Sequence, residues 1–259
     1  VLEQVQAIRY VTPLREGGSL PGIVEADDDG TYVMKFRGAG QGLKVLVAEV
    51  IVGEIGKAIG VRIPQLRAVT LDARIAKYEA DEEVQDLLTA SVGLNLGVDF
   101  LPGAFGYDGS RPVPAQEAAR ILWLDAFTAN PDRTWRNPNL LVWHGQTWAI
   151  DHGAALYFHH AWPNRGSNPA NTARFASQSF DAGKHVLLKV SDDLRPRHND
   201  FAAAVRAALA GGLLAQVPDE WLEPTQDLPD PESVRAAYRD NLLARLDHPS
   251  AWLPGWEPS

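Results

Sequence analysis

The sequence predicts an α+β fold in two lobes, an antiparallel sheet with one helix followed by a mostly helical C-terminal part. Three observations carry this. Strand-like runs at residues 5–12, 23–26, 31–36 and 66–71 surround one long helical run, Leu43 to Ile59. A strand through Gly97-Val98-Asp99-Phe100 then meets the Pro/Gly-punctuated crossover Leu101-Pro102-Gly103. Beyond it the apolar spacing is mainly helical, at 115–129, 198–210 and 232–246. The crossover sets the expected boundary: an N-terminal lobe of residues 1–98 and a C-terminal lobe of residues 99–259.

Each element has a local reason. Arg15 to Gly22 reads as a loop, and Asp27-Asp28-Asp29-Gly30 as the turn between two strands. The run from Leu43 places apolar residues at 43, 46, 47, 50, 51, 55, 58 and 59; Gly60 suits its C-terminal cap and Pro64 prevents continuation. Ala80–Thr89 reads as a short polar helix. Pro114 suits the opening of the helix Ala115–Ala129, with Ala118, Ile121, Leu122, Leu124, Asp125 and Ala129 in register. Asn130–Pro138 is loop. Leu140–Trp143 and Thr147–Ile150 form a hairpin around His144-Gly145-Gln146, and residues 158–182 read as irregular.

Composition narrows the function. The 259 residues carry a formal charge of −9, which argues against a nucleic-acid surface or an anionic-membrane anchor. ATP remains compatible, because its phosphates need only a few local cations, backbone N–H groups and metal ions. No stretch is apolar enough for long enough to cross a bilayer, and Glu3 and Arg9 interrupt any signal-peptide core. Cysteine is absent, which excludes disulfides and thiolate metal sites and fits a cytoplasmic location.

The chemistry-bearing segment is Asn130-Pro-Asp132-Arg133-Thr134-Trp135-Arg136-Asn137-Pro-Asn139, then the hairpin, then Ile150-Asp151-His152-Gly153. Phosphoryl transfer needs a carboxylate to orient the attacking hydroxyl and take its proton, plus oxygen ligands for Mg²⁺. An Asp, an Asn five residues on and a strand-ending Asp supply that set, and the hairpin returns Asp151 beside Asn137. Singly, each of these residues also serves as a turn former, and Asn139 is expected to be one. Upstream, Lys35 lies inside the apolar strand Thr31-Tyr-Val-Met-Lys35-Phe36. It must meet a carboxylate or phosphates, or else snorkel from an edge strand. The following helix offers Glu49 and Glu54. Gly17-Gly18-Ser19 could cover phosphates with backbone N–H groups or be a plain hairpin loop.

Val33-Met-Lys35-Phe, Glu49 with Ile59-Gly60-Val61-Arg62-Ile63-Pro64, Asn130-Pro-Asp132-Arg133 with Asn137, and Ala149-Ile150-Asp151 together resemble the HipA-like kinases. These are bacterial relatives of the protein kinases and phosphatidylinositol kinases. The resemblance runs discontinuously over residues 10–155 and implies a protein-kinase-like superfold. It implies that Lys35 contacts the ATP phosphates and pairs with Glu49, that Asp132 is the catalytic base, and that Asn137 and Asp151 bind Mg²⁺ or Mn²⁺. Asp99, Phe100 and Leu101 would be the hinge that receives adenine. The chain is shorter than the full-length toxin kinases, and its glycine loop lacks a lysine, so the resemblance extends to the phosphotransfer chemistry but not to a toxin role or to protein-substrate specificity.

The expected activity is transfer of the γ-phosphate of Mg-ATP to a hydroxyl of unknown identity, a protein Ser/Thr among the candidates. The alternative is a catalytically silent nucleotide-binding or scaffold module; the complete side-chain set favours the enzyme. Helical geometry puts Glu54 in the apolar stripe and Glu49 nearly opposite, so burial alone selects Glu54 as partner of Lys35. The motif interval selects Glu49, which is the pairing expected here, with Glu54 bonding another polar group at the lobe junction.

Overall fold

The computed structural model describes residues 1–14, 20–40, 42–77, 79–164 and 167–256. The glycine-loop residues Gly17, Gly18 and Ser19 lie outside them. Five strands make up the N-terminal sheet: β1 (Gln4–Pro13), β2 (Gly22–Ala26), β3 (Thr31–Lys35), β4 (Leu66–Leu71) and β5 (Gly93–Asp99). Their order, β1-β2-β3-β5-β4, closes into a barrel, because β4 also pairs with β1. Four of the five pairings are antiparallel and β1 with β4 is parallel. This corrects the expectation of an antiparallel sheet. An odd number of strands in a closed ring cannot alternate direction throughout, so one pair must run parallel. Register shifts in β1 between Ala7 and Arg9, and again between Tyr10 and Thr12, bend the strand around the barrel.

The barrel holds its own small core, which includes Val24, Tyr32, Met34, Val69 and Leu71. It is tightly filled at Gly97. A Cβ there would lie 2.5 Å from Val69 Cγ2 and 3.3 Å from Tyr32 Cβ.

Helix α1 (Leu43–Ala58) covers the outer face of the sheet, joining Leu66, Ala68, Leu94 and Leu96 in a second, larger core. Its end is set by Gly60 at φ 81°, where Gly60 N–H reaches the Lys57 carbonyl (3.0 Å) and Val61 N–H reaches Gly56 (2.8 Å). Every residue from Leu46 to Gly53 is buried. A helix covered on all sides lies between two bodies, and here the second body is the helical half of the chain. The N-terminal part also holds α3 (Glu82–Ala90), the short polar helix expected at 80–89, and α2 (Ala73–Ala76), which was not expected, so the sheet is accompanied by more than one helix. The Asp72 and Asp81 side chains cap them.

After β5 the crossover forms β6 (Phe105–Gly106), which pairs with β7 (Leu140–Trp143); β7 pairs in turn with β8 (Gln146–Ala149). His144 and Gly145, at φ 48° and 72°, make the two-residue turn between β7 and β8. Between β6 and β7 runs α4 (Ala115–Thr128), which is nearly all buried. The remaining helices are α5 (Ala173–Ala176), α6 (Arg195–Ala210), α7 (Pro231–Leu246) and α8 (Pro249–Trp252), with short 3-10 turns between them. Buried Arg245 of α7 donates to the carbonyls of Ala126 (2.9 Å) and Phe127 (2.7 Å), the final turn of α4. It thereby satisfies acceptors that a helix end leaves open. Among the described residues, no helix is long and apolar enough to cross a membrane.

The crowding at Gly97 predicts that Gly97→Ala overpacks the barrel and costs about 1–3 kcal/mol. Thermal unfolding should register a lower midpoint for the variant, and an unchanged midpoint would contradict this account of the barrel core.

Candidate active site

Lys35 ends β3, an interior strand bonded on one side to β2 and on the other to β5, so it is not a snorkelling edge lysine. Strand alternation sends Tyr32 and Met34 into the barrel and Lys35 outward, toward α1. Its ammonium is bound by Glu49 at 2.5 Å and Asp151 at 2.8 Å, and its side chain is 14% exposed. Glu49 is therefore the partner, as the motif interval expected. Glu54 bonds Lys57 at 2.8 Å on its own helix rather than a group at a junction. The wheel argument failed because α1 has no solvent face at Glu49: the chain at Asp151–Gly153 covers it. A Cβ on Gly153 would fall 2.5 Å from Val45 Cγ1 and 3.2 Å from Glu49 Oε1, so this close approach requires glycine.

Asp151 reaches Lys35 through a backbone kink. It lies one residue beyond β8, after Ile150, and sits at φ 55°, a left-handed conformation that costs a non-glycine residue about 1–3 kcal/mol. Burial pulls the Lys35 ammonium toward losing its proton, but the two carboxylates outweigh burial and raise its pKa. Lys35 holds the Asp151 carboxyl well below the usual carboxylate range. Burial pushes Glu49 up, against the pull of Lys35 and of the His152 backbone N–H. Asp151 is the open member of the cluster, with 47% of its side chain exposed.

The loop before the hairpin starts where α4 ends. Ala129 takes the left-handed conformation (φ 53°) and Asn130 N–H returns to the Asp125 carbonyl at 2.8 Å. Asn130 Oδ1 accepts from the Asp132 N–H at 3.1 Å. Asp132 Oδ2 then accepts from Asn137 Nδ2 (3.0 Å) and Asn139 Nδ2 (3.3 Å). Asn139, at φ 47°, is the turn former it was expected to be, and it also braces Asp132. Ile150 N–H donates to the Asn139 carbonyl at 3.0 Å, which places Asp151 next in line. The structure thus gathers Lys35, Glu49 and Asp151 into one cluster and Asp132, Asn137 and Asn139 into another, and the Asn139–Ile150 bond joins their backbones.

The expected hinge lies at the end of β5, where Asp99 pairs with Tyr32. The N–H groups of Asp99 and Phe100 are already engaged, by the carbonyls of Gln65 (2.8 Å) and Thr31 (3.0 Å). Leu101 is buried. Trp143 Nε1 donates to the Pro102 carbonyl at 3.0 Å and fastens the crossover to the hairpin.

Sequence reasoning missed what lies under the loop. Asp125 is fully buried and receives Arg133 (Nε, 2.6 Å), His185 (Nε2, 2.9 Å) and Asn130 (Nδ2, 3.1 Å). Burial pushes the Asp125 carboxyl up, but Arg133 and His185 outweigh it and hold the group well below its usual range. Buried Arg133 also donates to the carbonyls of Asn139 and Ile150 and faces His152 Nδ1 at 3.3 Å. One guanidinium thereby clamps both ends of the hairpin to α4. The signal was present in the sequence: Asp125 falls on the apolar stripe of its helix, and a carboxylate there needs a cation.

A lysine between two carboxylates, next to an Asp–Asn pair, is the side-chain inventory of a kinase-type phosphotransferase. The family model for HipA-like kinases matches residues 7–254, and the chain belongs to that family. Two solved structures are similar to it. One is the proinflammatory kinase CtkA of Helicobacter pylori, with a TM-score of 0.43 and 11% identity over 95% of this chain and 94% of that one. The other is a Golgi casein kinase, with a TM-score of 0.41 and 12% identity over 96% of this chain and 74% of that one. No curated protein matches the chain.

The buried network carries a pH signature. Burial, reinforced by Arg133, lowers the His152 pKa from about 6.5 to about 3. The folded protein therefore refuses a proton that the unfolded chain accepts below about 6.5. The stability contribution of neutral His152 is full above that pH and is lost as pH falls toward 3. His152→Asn keeps an acceptor for Arg133 and should reduce the pH dependence of stability between pH 5 and 6.5 by up to about 1.4 kcal/mol per unit. Urea unfolding at both pH values tests this, and an unaltered slope would show that His152 is not held neutral.

Proposed function

We propose that the chain is an ATP-dependent phosphotransferase that moves the γ-phosphate to a hydroxyl, with residues 1–98 and 99–259 as its two lobes. The observation that carries this reading is Lys35 buried between Glu49 and Asp151. An ammonium has three hydrogens, so Lys35 can keep Glu49 and turn a donor toward phosphate oxygens. Glu49 is the positioning partner that holds it there.

Asp132 is the proposed base. Both amide bonds fall on Oδ2, which leaves Oδ1 to face the acceptor. In the step, the acceptor oxygen bonds to the γ-phosphorus as the bond to the β,γ-bridging oxygen breaks. ADP leaves with the electron pair, and the hydroxyl proton passes to Asp132.

Asn137 and Asp151 fit a magnesium ion. The Asn137 amide donates its Nδ2 to Asp132, so its Oδ1 points elsewhere, and the Asp151 side chain is half exposed. No group of three or more His, Asp or Glu suited to a metal occurs among the described residues. A hard ion held by few protein oxygens and completed by phosphates is the usual magnesium arrangement. Bound there, it would supply positive charge against the phosphate oxygens. With the Asp99 and Phe100 N–H groups engaged, the segment Asp99–Leu101 is proposed to meet adenine through its carbonyls or the Leu101 N–H.

Asp132→Asn should retain Mg-ATP affinity and lower turnover by about 10²–10⁴-fold. Calorimetry and ATP turnover on the same preparation test this, and parental turnover would remove Asp132 as base. Asp151→Ala should abolish the magnesium-dependent part of ATP affinity; if that part persists, the ion is held elsewhere.

A further inference from the structure

The helical half is tied to the barrel by a short segment that the phosphotransfer chemistry does not use. One end of it is bolted to α7, where Arg235 donates to the carbonyls of Leu214 (3.2 Å) and Val217 (2.8 Å) and binds the Asp219 carboxylate. From there the 3-10 turn Asp219–Trp221 crosses to the barrel and lies against α1. Trp221 is buried, and its Nε1 donates to the Leu94 carbonyl of β5 at 3.0 Å. On either side of it Glu220 pairs with Arg37 at 2.7 Å and Glu223 with Lys44 at 3.1 Å.

Arg37 lies two residues beyond Lys35, and Lys44 lies five before Glu49. Between them stand Gly38, Gly40 and Gly42, and a Cβ on Gly40 or Gly42 would meet nothing within 4 Å. The link from the lysine strand to the glutamate helix is therefore loosely packed at those glycines. The start of α1 is also poorly held by its own residues. Its N-cap is Gly42, no side chain among the described residues caps it, and its first turn holds no acid. Lys44 in that turn opposes the helix dipole, which favours negative charge at this end, and Glu223 brings the carboxylate that α1 lacks.

Resting on the phosphotransferase reading above, we infer that residues 219–223 are a strap across both ends of this link, and that Glu220, Trp221 and Glu223 are positioning residues that set Glu49 against Lys35. Glu220 and Glu223 are each about half exposed, and ion pairs of that kind contribute little to stability. Their use is geometric. Apolar packing holds α1 down on the sheet but is non-directional, whereas the strap's directed bonds fix where the helix begins. Trp221 anchors the strap to β5, and the two ion pairs hold the end of β3 and the start of α1 at a set separation across the glycines. A shift at the start of α1 is carried along the helix to the bond between Glu49 and Lys35.

The test reads the Lys35–Glu49 pair without requiring turnover. Trace acetic anhydride labels lysine amines, and mass spectrometry compares Lys35 with Lys57, which binds Glu54 toward the other end of α1. An ammonium released from Glu49 gives up its proton more readily and reacts faster. At about pH 8 His159 and His160 are neutral, because burial lowers the pKa of both and Lys44 adds to it. Glu223→Lys should raise labelling of Lys35 relative to Lys57 by about threefold, the effect one such ion pair carries, whereas a damaged fold would raise both. Trp221→Phe, which keeps the packing and removes the N–H, should act in the same direction. The swap K44E/E223K restores opposite charges and should return the ratio to that of the parent. In ATP turnover, Glu223→Lys should lose about tenfold and the swap should recover it. A labelling ratio unmoved in both single variants, or not restored by the swap, would overturn the inference and leave the phosphotransferase reading standing. A ratio that moves and is restored in a protein that turns over no ATP would count against the phosphotransferase reading alone.

Discussion

The rest of the structure depends on how one ammonium is neutralised in a nearly dry place. Lys35 sits on an interior strand under a helix, where an unpaired charge is unsustainable. Its two carboxylates come from opposite ends of the chain's logic: Glu49 from the helix that covers the barrel, Asp151 from a kinked residue after a hairpin more than a hundred positions away. The charge ties together three segments that also meet through packing, α1 on the barrel through Leu66, Ala68, Leu94 and Leu96 and Gly153 against Val45. Breaking such a pair by removing one partner typically costs about 3–5 kcal/mol, since the other charge stays buried. Under the proposed function, the same ammonium that makes the cluster costly to build is the group that phosphate oxygens would share.

A second buried ion pair does for the loop what the first does for the cleft. Arg133 and Asp125 are both inaccessible to solvent, and the arginine spends its remaining donors on the two backbone carbonyls where the hairpin begins and ends. Asp132, adjacent in sequence, is thereby fixed by its neighbours and can leave one oxygen unengaged. Arg245 extends the scheme by capping the last turn of α4, from which the loop emerges. The loop is thus bonded from beneath, while half of the Asp151 side chain stays open to solvent.

Much of this was legible in the residues. Lys35 in an apolar strand, Asp132 and Asn137 at their spacing and Asp151 after a hairpin are residues that the structure gathers into two clusters joined through the Asn139–Ile150 bond. The turn residues marked the strands; β4 and β7 fell where Pro, Gly and alternation placed them, and β8 begins one residue early because the turn uses only His144 and Gly145. Barrel closure was not legible, because the pairing of β1 with β4 joins residues as far apart as Gln4 and Ala68 and leaves no local pattern. The choice between Glu49 and Glu54 was ambiguous for a related reason. A helical wheel assumes one solvent face, and α1 is enclosed by the barrel, the helical half and the Asp151–Gly153 segment. His185 was invisible, since nothing near it in sequence shows that it meets Asp125.

The central claim is that the Lys35 cluster, with Asn137, is where the nucleotide phosphates and the metal are held. A crystal structure with a non-hydrolysable ATP analogue and Mn²⁺, read through the anomalous signal of the manganese, tests it most directly. The account predicts manganese on the side-chain oxygens of Asp151 and Asn137, with a phosphate oxygen in hydrogen-bond contact with Lys35. Manganese bound away from both side chains, or a nucleotide whose phosphates do not touch Lys35, would contradict it.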